Sequence, residues 1–534
     1  MNDQNDNHRR NFLKTSALFM SGAMVPATAL LTKNSFAQTA PAIITRDTAR
    51  PQFPSGIQFG DALATRTIAW ARSDRPARLM LEYSTTERFT NPIKVRGPLA
   101  LETSDFVSRV DLTGLRAGQQ YFVRATMEDL ASNRVISEPV RGSFRTAPDG
   151  AKNVRFVWSG DTAGQGFGIN PEFGGMRIYE AMRKAQPDFF IHSGDNIYAD
   201  GPIAAERPTE GGKMWKNIVT PEVSKVAETL NEFRGRYRYN MMDENVRRFN
   251  AEVPQIWQWD DHEVTNNWSS SKDLSADARY TEKSVPLLVA RATRAFLEYA
   301  PIRPHGADEE ERVYRKISYG PLLDVFVIDM RSYRGPNSHN TQTTRSDETT
   351  YLGATQIAWL KQQTAASTAT WKVIASDMPL GLVVDDGKDS QGRDKFENSA
   401  NGDGPALGRE LEIAEVLTAL KAIKNVVWLT ADVHYCASHE YHPNRAQYTD
   451  FKPFWEFVAG PLNSGSFGPN KLDNTFGPAV VYQNAPKEQN TSPFAGLQFF
   501  GQVDIDAQTR EFKVALKDLD GKTVYEKTLT PEAA

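Results

Sequence analysis

Three short segments carry metal-ligand side chains where a strand-like run stops: Gly194-Asp195-Asn196-Ile197-Tyr198, Trp259-Asp260-Asp261-His262-Glu263 and Thr430-Ala431-Asp432-Val433-His434. The first follows Pro187-Asp188-Phe189-Phe190-Ile191-His192-Ser193, an apolar run too short for a helix and bounded by Pro and Gly, which reads as a buried strand. The second follows Val253 to Trp259 and the third Asn425 to Leu429. A fourth run, Val154 to Ser159, stops at Gly160-Asp161, with Gly164, Gly166 and Gly168 allowing close backbone approach beyond it. Asp432 and His434, two residues apart, share a side while the chain stays extended. One such segment is ordinary turn chemistry. Four of them place carboxylates that repel one another unless a cation sits between them, at the strand ends where open α/β sheets bind ligands.

These residues carry a resemblance. Gly194-Asp195-Asn196-Ile197-Tyr198 resembles the Gly-Asp-x-x-Tyr motif of calcineurin-like metallophosphoesterases, which include the purple acid phosphatases. Asp260-Asp261-His262-Glu263 is similar to their Gly-Asn-His-Glu/Asp motif with Asp for Asn, and Ala431-Asp432-Val433-His434 to Gly-His-x-His with Asp for the first His. Both replacements are those of the PhoD-type alkaline phosphatase family, which Ile328 to Arg334, Leu352 to Leu360 and Glu456 to Pro461 also resemble. The resemblance implies an α/β fold, a metallophosphoesterase β-sandwich flanked by helices in αββα layers, after a small N-terminal all-β domain of fibronectin type III type. It implies a phosphatase or phosphodiesterase that releases phosphate by attack of a metal-bound hydroxide on small phosphoester substrates.

Ligand types speak to the ions. Asp161, Asp195, Tyr198 and His434 combine a phenolate with one imidazole, which suits Fe³⁺, whereas Asp195, Asp261 and Asp432 form an all-oxygen set suited to Ca²⁺ or another hard divalent ion. The resemblance implies the same pair, with Asp195 as the bridge. Many family members have a Ser-Cys pair at the end of the first strand, whose thiolate binds iron; here the pair is Ser159-Gly160. The single cysteine, Cys436, either reaches the metals or is a buried, inert thiol. The fourth metallophosphoesterase motif normally brings another His; Ser376 or Asp377 stands there, and Asp377 is a further candidate ligand.

His262, next to Asp261, is placed to hydrogen-bond the phosphate or protonate the leaving alkoxide, or else to orient Asp261. Arg331 follows the strand-like run Leu322 to Ile328 and either holds phosphate bidentately or pairs with Asp329. Asn196 either bonds phosphate or shapes its turn. No Gly-x-Ser-x-Gly elbow is evident.

His8-Arg9-Arg10-Asn11-Phe12-Leu13-Lys14 resembles a twin-arginine export motif, followed by a mild apolar stretch to Leu31 and a small-x-small end at Ser35-Phe36-Ala37. Residues 1–37 are therefore expected to be a leader cleaved after Ala37, for a periplasmic or secreted protein with no stable membrane insertion. Its loss moves the formal charge from −4 to −6, which gives no support to nucleic-acid binding. A single cysteine excludes an intrachain disulfide framework. Residues 41–148 alternate in strand fashion, as in Leu79-Met80-Leu81-Glu82-Tyr83, and 151–534 mix strands with helical stretches such as Ala354 to Thr364. Polar segments Ala199 to Lys225 and Asp385 to Asp403 are too long for simple connectors and are expected to wall or cover the site. A monomer is expected. The remaining readings are a specialised relative acting on one distinct phosphoester or phosphoanhydride, and a non-catalytic exported metal- or phosphate-binding protein.

Overall fold

Side-chain alternation along the strands sets the layering. In the computed structural model, which describes residues 47–132 and 134–533, three of the runs are parallel neighbours: β1 (Val154–Ser159), β2 (Phe189–Ser193) and β3 (Gln255–Gln258). A second sheet holds β4 (Leu323–Val327), β5 (Trp371–Ala375), β6 (Val426–Thr430) and β7 (Phe454–Val458), parallel in that order. Phe156, Trp158, Ile191 and Ile256 from the first sheet meet Val325, Val327, Val373 and Leu429 from the second in one dry core. Each such side chain contributes roughly 1.5–3 kcal/mol by leaving water.

The residues between them point outward. Val157 and Phe190 pack on helices α1 (Arg177–Lys184) and α2 (Glu244–Glu252). Phe326, Ile374 and Trp428 pack on α3 (Ala354–Ala365) and α4 (Glu410–Leu420). Buried on both faces, these strands read as continuous apolar runs. The outcome is a helix-sheet-sheet-helix sandwich, as expected. The C-terminal strands Phe499–Ile505, Phe512–Asp518 and Thr523–Leu529 extend the first sheet antiparallel beyond β1.

The N-terminal β region is less separate than a free-standing sandwich. Ala77–Ser84, Ile93–Ala100, Gln120–Asp129 and Val140–Arg145 make a four-stranded antiparallel sheet, but Ile57–Gly60, Arg66–Arg72 and Val107–Thr113 belong to the nine-stranded catalytic sheet. They enter it where Gly60 pairs in parallel with Gln255 of β3. The expected leader over 1–37 and its cleavage after Ala37 lie outside the described residues. Among the described residues no helix is long and apolar enough to cross a membrane.

Candidate metal centre

All seven parallel strands end on one side, and the chain turns sharply after three of them. Asp161 follows β1 at φ 69°, Asp195 follows β2 at 50°, and Asp432 and His434 follow β6 at 65° and 60°. Left-handed backbone at non-glycine residues costs of order 1–3 kcal/mol each, which surrounding bonds must over-determine. Backbone bonds do so: across the two sheets Asn463 N–H donates to the Asp161 carbonyl at 3.0 Å and Leu462 N–H to the Gly160 carbonyl at 2.8 Å, and within the second sheet Ala431 N–H donates to the Asp377 carbonyl at 2.9 Å. The Trp158 indole crosses the sandwich to donate to the Thr430 carbonyl at 3.2 Å.

The turns bring the expected ligands together. Ligand atoms of Asp161, Asp195 and His434 lie within 4.8 Å of one another, as do those of Asp195, Asp261 and His262, and those of Asp260, Asp261 and Asp432. Tyr198 puts its hydroxyl 2.8 Å from His434 Nε2, which is 3.6 Å from Asp161 Oδ1. A Cβ on Gly164 would lie 2.4 Å from the Tyr198 ring, so only glycine lets that loop seat the tyrosine. His434 Nδ1 donates to the Gly465 carbonyl at 2.5 Å. A carbonyl can only accept, so Nε2 carries the lone pair and faces the centre. Burial lowers the His434 pKa to about 4, keeping the ring neutral.

Asp161 Oδ2, Asp195 Oδ2, Asp260 Oδ2 and Asp261 Oδ1 are buried without a hydrogen-bond partner. Burial first, and neighbouring carboxylates second, push Asp161, Asp195 and Asp432 well above the usual carboxylate range. Orphaned oxygens around one point, with a phenol and a neutral imidazole among them, fit bound cations.

His262 is set apart by its partner. Its Nδ1 lies 2.7 Å from Asp200 Oδ1, and Asp200 Oδ2 accepts from Asn266 N–H at 2.9 Å. Burial alone would lower the His262 pKa, but the Asp200 and Asp261 carboxylates raise it to about 10. Its ring lies 4.3 Å from that of Tyr198, with Nε2 on the Asp261 side, 4.0 Å from Oδ1.

Three expected site residues face other protein groups. Arg331 has no exposed side-chain surface; Nε is 2.5 Å from Asp260 Oδ1 and 3.4 Å from Asp377 Oδ2, and Nη1 is 2.7 Å from Glu397 Oε1. Asn196 spends its amide N–H groups on the Gln258 carbonyl at 2.7 Å and Glu263 Oε1 at 2.9 Å, so it shapes the turn. Asp377 faces Arg331 and belongs to none of the three ligand groups. Sequence reasoning passed over Asp260, although it adjoins Asp261, and Asp200, five residues past Asp195. Glu397 had no signal, since it arrives from a long polar segment. Cys436 is buried in the sandwich core, where burial pushes its thiol up, and it joins no ligand group. At Gly160 a Cβ would meet Ala431 Cβ at 2.9 Å, so a cysteine there needs the strand ends to part.

Crowded carboxylates make the metal-free centre costly at high pH. Burial and neighbouring charge raise Asp260 to about 8 and Glu263 to about 7. In the folded state these groups bind protons that the unfolded chain does not, so their stabilisation is complete below about pH 4 and is lost as pH rises through 7–8. Chelated protein is therefore expected to melt a few degrees higher at pH 5.5 than at pH 8.5, measured by calorimetry, with the metal-loaded protein showing a smaller or opposite trend.

Comparison with known proteins agrees with this geometry. The PhoD-like phosphatase family profile matches residues 156–516, and that of the PhoD-like phosphatase N-terminal domain matches residues 38–148. Alkaline phosphatase D of Bacillus subtilis (strain 168) is 27% identical over 456 residues, covering 79% of this chain and 71% of that protein. The solved structure of PhoD superposes with a TM-score of 0.67 at 22% identity, covering 91% of this chain and 90% of that one. Purple acid phosphatase PPD1 from yellow lupin seeds gives 0.54 at 12% identity, covering 90% and 74%. With the family profile spanning most of the chain over the strands and turns that build the centre, this protein belongs to the PhoD-like phosphatase family and is a phosphoester hydrolase.

Proposed function

We propose that this chain is an exported phosphatase/phosphodiesterase acting on small phosphoesters, with Fe³⁺ at Asp161, Asp195, Tyr198 and His434 and Ca²⁺ at Asp195, Asp261 and Asp432. The observation that carries the reading is the convergence of orphaned carboxylate oxygens beside a histidine held by its own aspartate. Cations there supply two things, a water whose pKa falls by several units and neutralisation of phosphoryl charge. The chain's residues do the rest. Asp200 holds His262 by Nδ1, leaving Nε2 as the proton donor to the departing alkoxide. Tyr198 packs its ring, tilted by 31°, against that of His262 and limits its rotation. Asp260, paired with Arg331, joins Asp261 and Asp432 as a further oxygen donor. The twin-arginine-like leader supports export of a folded, metal-loaded protein.

Elemental analysis of protein exported through its own leader, with 4-nitrophenyl phosphate and bis(4-nitrophenyl) phosphate assayed side by side, tests the proposal. Stoichiometric iron with calcium and turnover of at least one ester is the expected result. Active protein without metal would sink it.

A further inference from the structure

Two walls rise from the strand ends. On the Asp261 side, Asn267 N–H donates to Asp261, while the Asn267 side chain bonds the Asp385 carbonyl at 3.3 Å and Asp386 Oδ1 at 3.1 Å. On the His434 side stands a short hairpin, Glu206–Pro208 with Met214–Lys216. Asn217 locks it to the loop that follows Asp161. Its Oδ1 accepts from Gly168 N–H at 2.8 Å, and its Nδ2 donates to the Gly166 and Ala204 carbonyls at 3.1 and 2.7 Å. The far end of the hairpin is held by Glu210, which accepts from Ser492 Oγ at 2.6 Å and Ser492 N–H at 3.1 Å.

Of the hairpin's cations, Lys216 pairs with Glu172 at 2.9 Å and Lys213 lies 5.5 Å from the Phe494 ring centroid, whereas Arg207 faces the loop after Asp161. Its guanidinium lies 4.5 Å from the Phe167 ring centroid, and a Cβ on Gly166 would meet Nη1 at 2.6 Å, so glycine at that position, φ +82°, makes room for it. Gly166 is two residues from Gly164, which touches the Tyr198 ring, and two residues span at most about 7 Å. Among the described residues no carboxylate pairs with Arg207; burial lowers its pKa and nothing offsets that. Glu206, beside it on the same strand, points to the opposite face by alternation, and Glu210 is taken by Ser492. By contrast, Arg331 and Arg409 spend their donors on buried carboxylates and carbonyls. A half-buried guanidinium fixed in place without a counter-ion is prepared for an anion supplied from outside.

We infer that Arg207 forms an anion subsite on the rim of the phosphoesterase centre, selecting phosphoesters whose leaving alcohol carries a second negative group, a carboxylate or another phosphate. The inference rests on the phosphoesterase reading and adds a substrate class to it. Phenyl phosphate and 4-carboxyphenyl phosphate differ by that one charge, so the ratio of their kcat/KM values, compared between protein variants, cancels intrinsic reactivity. In metal-loaded Arg207→Gln protein the ratio of carboxylated to plain ester is expected to fall about tenfold, the size of a charge-assisted hydrogen bond, with the change carried by KM. Arg207→Lys should retain most of the wild-type ratio. An unchanged ratio in Arg207→Gln, or equal losses on both esters in both variants, overturns the subsite while leaving the phosphoesterase reading intact. Wild-type protein that turns over neither ester overturns that reading and the subsite with it.

Discussion

Asp195→Ala protein is expected to fold, bind less metal and hydrolyse phosphoesters at least about a thousandfold more slowly than wild type, since each cation interaction with the reacting group is worth several kcal/mol. Asp195 is the residue shared by the group with Asp161 and His434 and the group with Asp261 and His262. Its Oδ1 also accepts the His262 N–H at 3.2 Å, so its loss loosens the turn that carries His262. The same substitution removes one of several mutually repelling carboxylates. With chelator present, Asp195→Ala should therefore melt no lower than wild type, and activity should fall without stability falling. Elemental analysis, steady-state kinetics and calorimetry on one preparation separate the effects. A variant that keeps both metals and most of its turnover, or that unfolds more readily in chelator, would assign Asp195 a structural place instead.

Arg331→Ala should show the opposite pattern. Its guanidinium is the buried counter-charge for Asp260, Glu397 and Asp377. Removing one partner of a buried ion pair costs about 3–5 kcal/mol, because the remaining charge is left without solvent or partner. The loss should be larger at pH 8 than at pH 5, where Asp260 can take a proton. Arg331→Lys should recover only part of it, since an ammonium lacks the planar fork that reaches three carboxylates. Urea unfolding at the two pH values measures both claims. A cost under about 1 kcal/mol would mean that the site relaxes around the missing charge.

The convergence of the acidic turns was legible because their spacing is local. A strand-like run, a small residue and an aspartate recur at Asp161, Asp195 and Asp432, and parallel strands must end on one side, so pattern and topology converge on one place. What was not legible depends on contacts distant in sequence. Arg331 at a strand end looks the same whether it faces substrate or a carboxylate; Glu397, 66 residues on, decides it. Asn196 likewise looks like a phosphate donor until Glu263 and Gln258 take its N–H groups. The N-terminal alternation identifies strands but not the sheet each one joins, and pairing between Gly60 and Gln255 carries no signature in either segment.

That pairing has a consequence for how the molecule holds together. Because strands from the first hundred or so residues continue the catalytic sheet beyond β3, the N-terminal part acts as a flashing along an otherwise bare margin. A catalytic half made alone would leave the backbone at the start of β3, around Gln255, without Gly60 and Asp61, and an uncovered strand edge is the usual starting point for intermolecular strand addition. Melting of either half would then drag the other with it, so the two parts stand or fall together.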